Sequence, residues 1–146
     1  MDAAFGPGRF AKTAERVRET SSPWRSGSRL ALSADRLVGA CRLWPVTAGA
    51  RALFLGPIAV DRAWRSGGLG RQLVAVCEDA AAAAGEAAII LIGERSFFGP
   101  QGYEPVPAER ISLPGPGVGA RLMWKAIRPG GLDALSGPLT GLREPS

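Results

Sequence analysis

The sequence predicts an α/β domain built on a mixed, mostly antiparallel twisted sheet with a central parallel strand pair flanked by helices. Two observations carry this. The apolar runs 52–60 and 88–92 are separated by one amphipathic helix over 69–84, and a strand–helix–strand unit of this kind closes as a right-handed crossover between parallel strands. Residues 30–33 and 37–44 flank the turn Ala34-Asp35-Arg36, the pattern of an antiparallel hairpin.

Along the chain, Phe10, Ala14 and Val17 recur at i, i+4 and i+7 among Lys12, Glu15, Arg16, Arg18 and Glu19. This spacing predicts an amphipathic helix that starts after Pro7-Gly8 and fades near Ser21-Ser22-Pro23. After the hairpin, Ala48-Gly49-Ala50 turns the chain into the strand 52–60. In the helix over 69–84, Leu69, Leu73, Val76, Cys77, Ala80 and Ala84 fall along one face, and Gly85 is a natural C′ residue. The run 88–92 has no polar residue, as expected of a strand covered on both faces. Residues 96–105 read as a single helical turn reversing into an extended stretch, and 122–127 is the last clear strand. Beyond Pro129-Gly130-Gly131, Leu132, Leu135, Leu139 and Leu142 have helix-like spacing that Gly137-Pro138 interrupts. Surface packing of limited order is expected there.

The stretch between the strand 52–60 and the helix is the most informative. After Asp61 no carboxylate occurs until Glu78, yet Arg65 and Arg71 bracket Ser66, Gly67, Gly68, Leu69 and Gly70. The first N–H groups of a helix lack intrahelical acceptors and sit at the positive end of its dipole, so ordinary capping places acids there, not arginines. A bound pyrophosphate turns those guanidinium groups into charge-assisted partners. The glycines remove Cβ atoms that would hold phosphate oxygens away from the N–H groups. A Walker loop is excluded, since the only lysines, Lys12 and Lys125, lie far from any glycine run. A dinucleotide fingerprint starting at Gly68 fails at Leu73, its third glycine position.

Composition sets the outer bounds. The chain has 146 residues, 46% hydrophobic and 21% charged, enough for one domain with a real core. No apolar run approaches the roughly 20 residues of a membrane span, and residues 1–8 do not read as a signal peptide. A cytoplasmic protein is expected. Histidine is absent, which removes the commonest general base and zinc ligand; no metal site is expected. Acid–base chemistry falls to carboxylates, Tyr103, water or the substrate's own amine. Cys41 and Cys77 are too few for a disulfide framework and lie in apolar patterns. The net charge of +5 is spread along the chain, unlike the clustered charge of a nucleic-acid module.

Three stretches carry a family resemblance. Arg65-Ser66-Gly67-Gly68-Leu69-Gly70 fits an Arg/Gln-x-x-Gly-x-Gly/Ala signature, Gly56-Pro57-Ile58-Ala59-Val60 matches a cofactor-binding strand, and Phe97-Phe98-Gly99-Pro100-Gln101-Gly102-Tyr103 matches a Tyr-Tyr-Gly-x-x-Gly-Phe/Tyr turn. On these residues, over about 29–128, the chain resembles the GNAT N-acetyltransferases, in particular the YhbS-like subgroup. The resemblance implies the acyl-CoA N-acyltransferase fold in a single domain over 1–128, shortened at its N-terminus, with 129–146 as a Pro/Gly-rich tail. It also implies acetyl-CoA as cofactor, with CoA as product. Main-chain groups of Ile58 and Val60 would hydrogen-bond the pantetheine amides, with Ala59 between them in the cofactor-binding strand, and the N–H groups of Arg65, Ser66, Gly67, Gly68, Leu69, Gly70 and Arg71 would hold the pyrophosphate. N–H groups near Val60 would stabilise charge on the thioester oxygen. Phe98 would line the cofactor site at the position where the family commonly carries the tyrosine that protonates the departing thiolate.

The expected activity is acetyl transfer to a primary amine by direct attack in a ternary complex. Glu94, just past a strand end, is the candidate for deprotonating the ammonium, against a plain reading as a loop acid partnering Arg95. Ser96 offers a hydroxyl nearby, against a plain reading as a helix N-cap. The expected partner is a small-molecule or peptide amine, not nucleic acid and not a membrane, with a homodimer left open. Phe98 and the short N-terminus also motivate an alternative, an acyl-CoA-binding sensor or partner protein with little or no turnover.

Overall fold

The computed structural model describes residues 14, 17–18, 29–33, 36–63, 68–115 and 119–142. Strands β1 (Arg29–Ser33), β2 (Arg36–Thr47) and β3 (Arg51–Val60) form an antiparallel meander. Helix α1 (Leu69–Ala83) crosses over to β4 (Ala88–Ile92), which lies parallel to β3 with Leu53 opposite Ile89 and Leu55 opposite Leu91. Helix α2 (Arg95–Phe98) and a 3-10 turn (Gly99–Gln101) lead to β5 (Glu104–Pro105), β6 (Ile111–Ser112) and β7 (Leu122–Ala126). Strands β8 (Gly137–Pro138) and β9 (Thr140–Gly141) close the chain. The main sheet runs β1-β2-β3-β4-β7-β5, with β9 added beside β2, and β6 pairs β8 separately. The mixed sheet with one central parallel pair is the one the sequence predicts.

Side-chain alternation along the strands divides the interior in two. Leu53, Leu55, Ile89, Leu91 and Met123 face α1 in one core. Ala52, Phe54, Ile90, Leu122 and Trp124 build a second core on the opposite face.

Three features differ from the sequence reading. The buried face of α1 is Gly70, Leu73, Val74, Cys77 and Ala81, not the line through Val76, Ala80 and Ala84. Val76 is exposed, because the crossover turns the arc centred on Leu73, Val74 and Cys77 onto the sheet. Strand β2 continues to Thr47, past Trp44, since Pro45, Val46 and Thr47 pair with Leu53, Ala52 and Arg51. The C-terminal segment is packed rather than loose: Leu135 and Leu139 are fully buried in the second core, and β9 pairs with the end of β2. Of the expected first helix only Ala14, Val17 and Arg18 are described, all helical, with Val17 buried in the second core; the rest lies outside the described residues.

Candidate active site

The sheet opens at its centre. Pairing of β3 with β4 stops at Leu55 and Leu91, although β3 runs on to Val60. Against β2, the register shifts between Cys41 (opposite Ile58) and Leu43 (opposite Leu55), which places a bulge at Gly56-Pro57. A bulge bends the strand that carries it, and Gly56 supplies the positive φ, 142°. The indole N–H of Trp44 donates to the Gly56 carbonyl, tying the bulge to β2.

Beyond the bulge, β3 keeps β2 on one edge. The Asp61 N–H donates to the Val38 carbonyl at 2.8 Å, and Ala59 lies opposite Ala40 in the same register. Antiparallel alternation therefore turns the N–H and C=O groups of Ile58 and Val60 toward the other edge, into the gap beside β4. The side chains of Ile58 and Val60 are buried in the first core, so packing accounts for their apolar identity and their backbone is what faces the opening.

Helix α1 follows β3 in the chain, and its first residue, Leu69, packs against the core that holds Ile58 and Val60. Its N-cap is Gly68, left-handed at φ 81°, with no side-chain cap and no acidic residue in the first turn. The Gly68 carbonyl takes the first helical bond, from Gln72 N–H at 3.1 Å, and the preceding N–H groups of the first turn have no intrahelical acceptor. Among the described residues, nothing lies within 4 Å of where a Cβ on Gly68 would stand. Leu69 packs against the first core and Arg71 is exposed. Such an end suits an anion. Arg65, Ser66 and Gly67 lie outside the described residues.

At the C-terminal end of β4, Gly93 donates to the Arg121 carbonyl at 2.9 Å, and a Cβ on Gly93 would collide with the Phe98 ring. Phe98 is buried in edge-to-face contact with Phe97 and Tyr103, at centroid distances of 4.8 and 5.6 Å. Glu94 is the N-cap residue of α2 and makes no cap bond with its side chain. Its Oε1 pairs instead with Arg121 Nη1, so the loop acid finds its cation on β7's approach and not at Arg95. Ser96 is an exposed residue within α2 and does not cap it.

The Tyr103 hydroxyl is buried and has no hydrogen-bond partner among the described residues. Burial, and then the nearby Glu78 carboxylate, push its pKa far above the ordinary phenol value. Glu78 is held by Lys125 Nζ at 3.1 Å, and the same ammonium donates to the Gln101 carbonyl at 2.8 Å. This ties the turn carrying Phe98 to α1 and β7.

The family model for the acetyltransferase (GNAT) family matches residues 3–96. The chain belongs to that family. Among solved structures, this GNAT domain is similar to the GNAT N-acetyltransferase YhbS from Escherichia coli, solved in complex with CoA, with TM-score 0.73 and 22% identity over 95% of this chain and 78% of that one. A GNAT acetyltransferase from Staphylococcus aureus is similar with TM-score 0.56 and 18% identity, over 78% and 75% of the two chains. A GNAT acetyltransferase from Brucella melitensis, in complex with acetyl-CoA, follows with TM-score 0.52 and 20% identity over 66% and 64%. No curated protein matches the sequence significantly.

In this GNAT domain the fold turns the main chain of Ile58 and Val60 into the opening and that of Ala59 onto β2, against the expectation for Ala59, sets Gly68, Leu69 and Gly70 at the start of α1, and places Glu94 and Phe98 just past the end of β4. Two contributors were not anticipated. Trp44 reaches Gly56 across twelve positions of chain, and Arg121 reaches Glu94 from the approach to β7. Neither contact leaves a local sequence pattern.

Proposed function

We propose that the chain is an acetyl-CoA-dependent N-acetyltransferase that passes the acetyl group to a primary amine within a ternary complex. The parting of β3 and β4, together with an uncapped, acid-free helix N-terminus, carries this reading. The bound cofactor would supply the acyl group as an already activated thioester. Ile58 and Val60 main-chain groups would pair with the amides of the pantetheine as a missing strand would, and the α1 N-terminus with Arg65 and Arg71 would hold its phosphates. A Val60 N–H would stabilise the developing oxyanion.

Glu94 is proposed to take the proton of the acceptor ammonium, directly or through one water, with Arg121 fixing the carboxylate's direction through Oε1. No hydroxyl stands at Phe98, so protonation of the sulfur would come from solvent or another group. A positioned general acid is worth about 10²–10⁴-fold, so its loss slows the reaction without forbidding it. The same residue favours a second reading, an acyl-CoA-binding protein with little turnover. Calorimetry with acetyl-CoA, followed by CoA release across an amine panel, tests both. No binding at millimolar acetyl-CoA removes the first reading, and binding without turnover on any amine favours the second.

A further inference from the structure

A cavity of about 360 Å³ lies under the segment that joins β5 to β7, walled by Val106, Ala108, Glu109, Ile111, Leu113 and Leu122 among others. Val106, Ile111 and Leu122 belong to the second core, so the cavity opens on the sheet face opposite α1. Leu122 sits directly across from Ile92, and its carbonyl accepts the Val106 N–H at 2.9 Å. The floor of the cavity is thus one strand spacing, about 5 Å, from the end of β4 that walls the opening.

Among the described residues, Glu109 is the one ionisable side chain in its lining. It is also the only non-glycine residue with positive φ among the described residues, at 66°. Its neighbour Arg110 holds the turn there. The Arg110 N–H donates to the Pro107 carbonyl at 3.1 Å, and its guanidinium lies over Trp124 and donates to the carbonyls of Leu135 at 2.6 Å and Asp133 at 3.0 Å. A conformation unfavourable to a residue with a side chain persists only where its surroundings impose it, and such positions concentrate at functional sites.

We propose that this cavity receives the acceptor and selects a primary amine on a small apolar body with a second cationic group and no carboxylate. This rests on the acetyl-transfer reading. The apolar walls take the body, Glu109 takes the distal cation, and the reacting nitrogen is left toward the end of β4. There the new N–C bond forms as the C–S bond of the thioester breaks; the ammonium proton goes to Glu94 or water and CoA leaves as the thiolate. A carboxylate-bearing amine meets Glu109 and, among the described lining residues, no cation.

Binding of hexamethylenediamine, hexylamine and ε-aminocaproate, measured by calorimetry on the parent, Ala108→Trp and Glu109→Gln, tests the assignment, with the thermal shift by acetyl-CoA recorded on the same samples. The parent should bind the diamine about tenfold or more tighter than ε-aminocaproate, the size of one charge-assisted contact. Glu109→Gln should erase the diamine's advantage over hexylamine. Ala108→Trp, at an exposed turn position, should weaken all three amines by about tenfold and leave the acetyl-CoA shift unchanged. A parent that binds none of the amines, an Ala108→Trp variant that binds them as the parent does, or an advantage that survives Glu109→Gln overturns the proposal. Loss of the acetyl-CoA shift in the parent with the amine pattern intact counts against acetyl transfer and leaves the cavity as an amine site.

Discussion

Phe98 and Tyr103 share one aromatic cluster but have opposite polar status. Phe98 lacks the hydroxyl that the neighbouring chemistry would use, and Tyr103 has one that nothing described accepts. Phe98→Tyr should raise kcat by up to about 10²-fold where thiolate protonation limits the rate and leave acetyl-CoA affinity nearly unchanged, because the ring already fills its seat over Gly93. A variant no faster on an accepted amine shows that protonation is not limiting. Tyr103→Phe should stabilise the fold by about 1–2 kcal/mol, since an unsatisfied buried polar group costs that much; urea denaturation measures it. The pH dependence has a definite sign. Burial raises the folded Tyr103 pKa, and a hydrogen bond to Cys77 followed by burial raises that of Cys41. Both groups contribute stability that is fully present below their unfolded values, about 8.5 for cysteine and about 10 for tyrosine, and lost as pH rises beyond them. Melting temperatures should therefore fall from about pH 8.5 upward, and Tyr103→Phe should flatten the part of the decline above pH 10.

At the scale of elements, the opening depends on how β3 and α1 end. Gly68→Glu puts a carboxylate at the uncapped end of α1, where a phosphate is expected. It should weaken acetyl-CoA binding by about 10²-fold, two lost charge-assisted bonds, while the left-handed φ costs about 1–2 kcal/mol of stability. Gly70 is buried, so Gly70→Glu should cost more of the fold and is the less informative variant. If Gly68→Glu binds acetyl-CoA as the parent does, the phosphates lie elsewhere. Trp44→Phe keeps the ring and removes the donor to Gly56. Freed from that bond, the bulge should present Ile58 and Val60 less uniformly, and calorimetry should find acetyl-CoA bound about fivefold more weakly, equivalent to one hydrogen bond of about 1 kcal/mol. Unchanged affinity would mean that the bulge is held by β2 pairing alone.

For the whole molecule, the C-terminal segment is the decisive addition. It supplies Leu135 and Leu139 to the second core, pairs β9 with β2, and offers the carbonyls that anchor Arg110 beside the cavity. Removing residues 129–146 should cost at least about 4 kcal/mol, two buried leucines at roughly 2 kcal/mol each, and should weaken amine binding before acetyl-CoA binding. A truncated chain with the parent's urea midpoint would show that the segment only rests on the surface.

What the sequence determined by itself is whatever physics acts over a few residues. The glycine turn with its arginines, the missing acids at the start of α1, the hairpin around residues 34–36 and the parallel pair across one helix were legible because each is a local pattern with a local cause. The resemblance carried by residues 56–60, 65–70 and 97–103 extended that reading to the family. Tertiary structure decided the rest. Glycine and alanine contribute little to a helical hydrophobic pattern, so only docking on the sheet selected Gly70, Val74 and Ala81 over Val76, Ala80 and Ala84. The pairing of Glu94 with Arg121, the Trp44 bond to Gly56, the burial of Leu135 and Leu139 and the forced turn at Glu109 each join residues on separate elements. Such contacts form only once the sheet has brought those elements together, so no pattern along the chain encodes them.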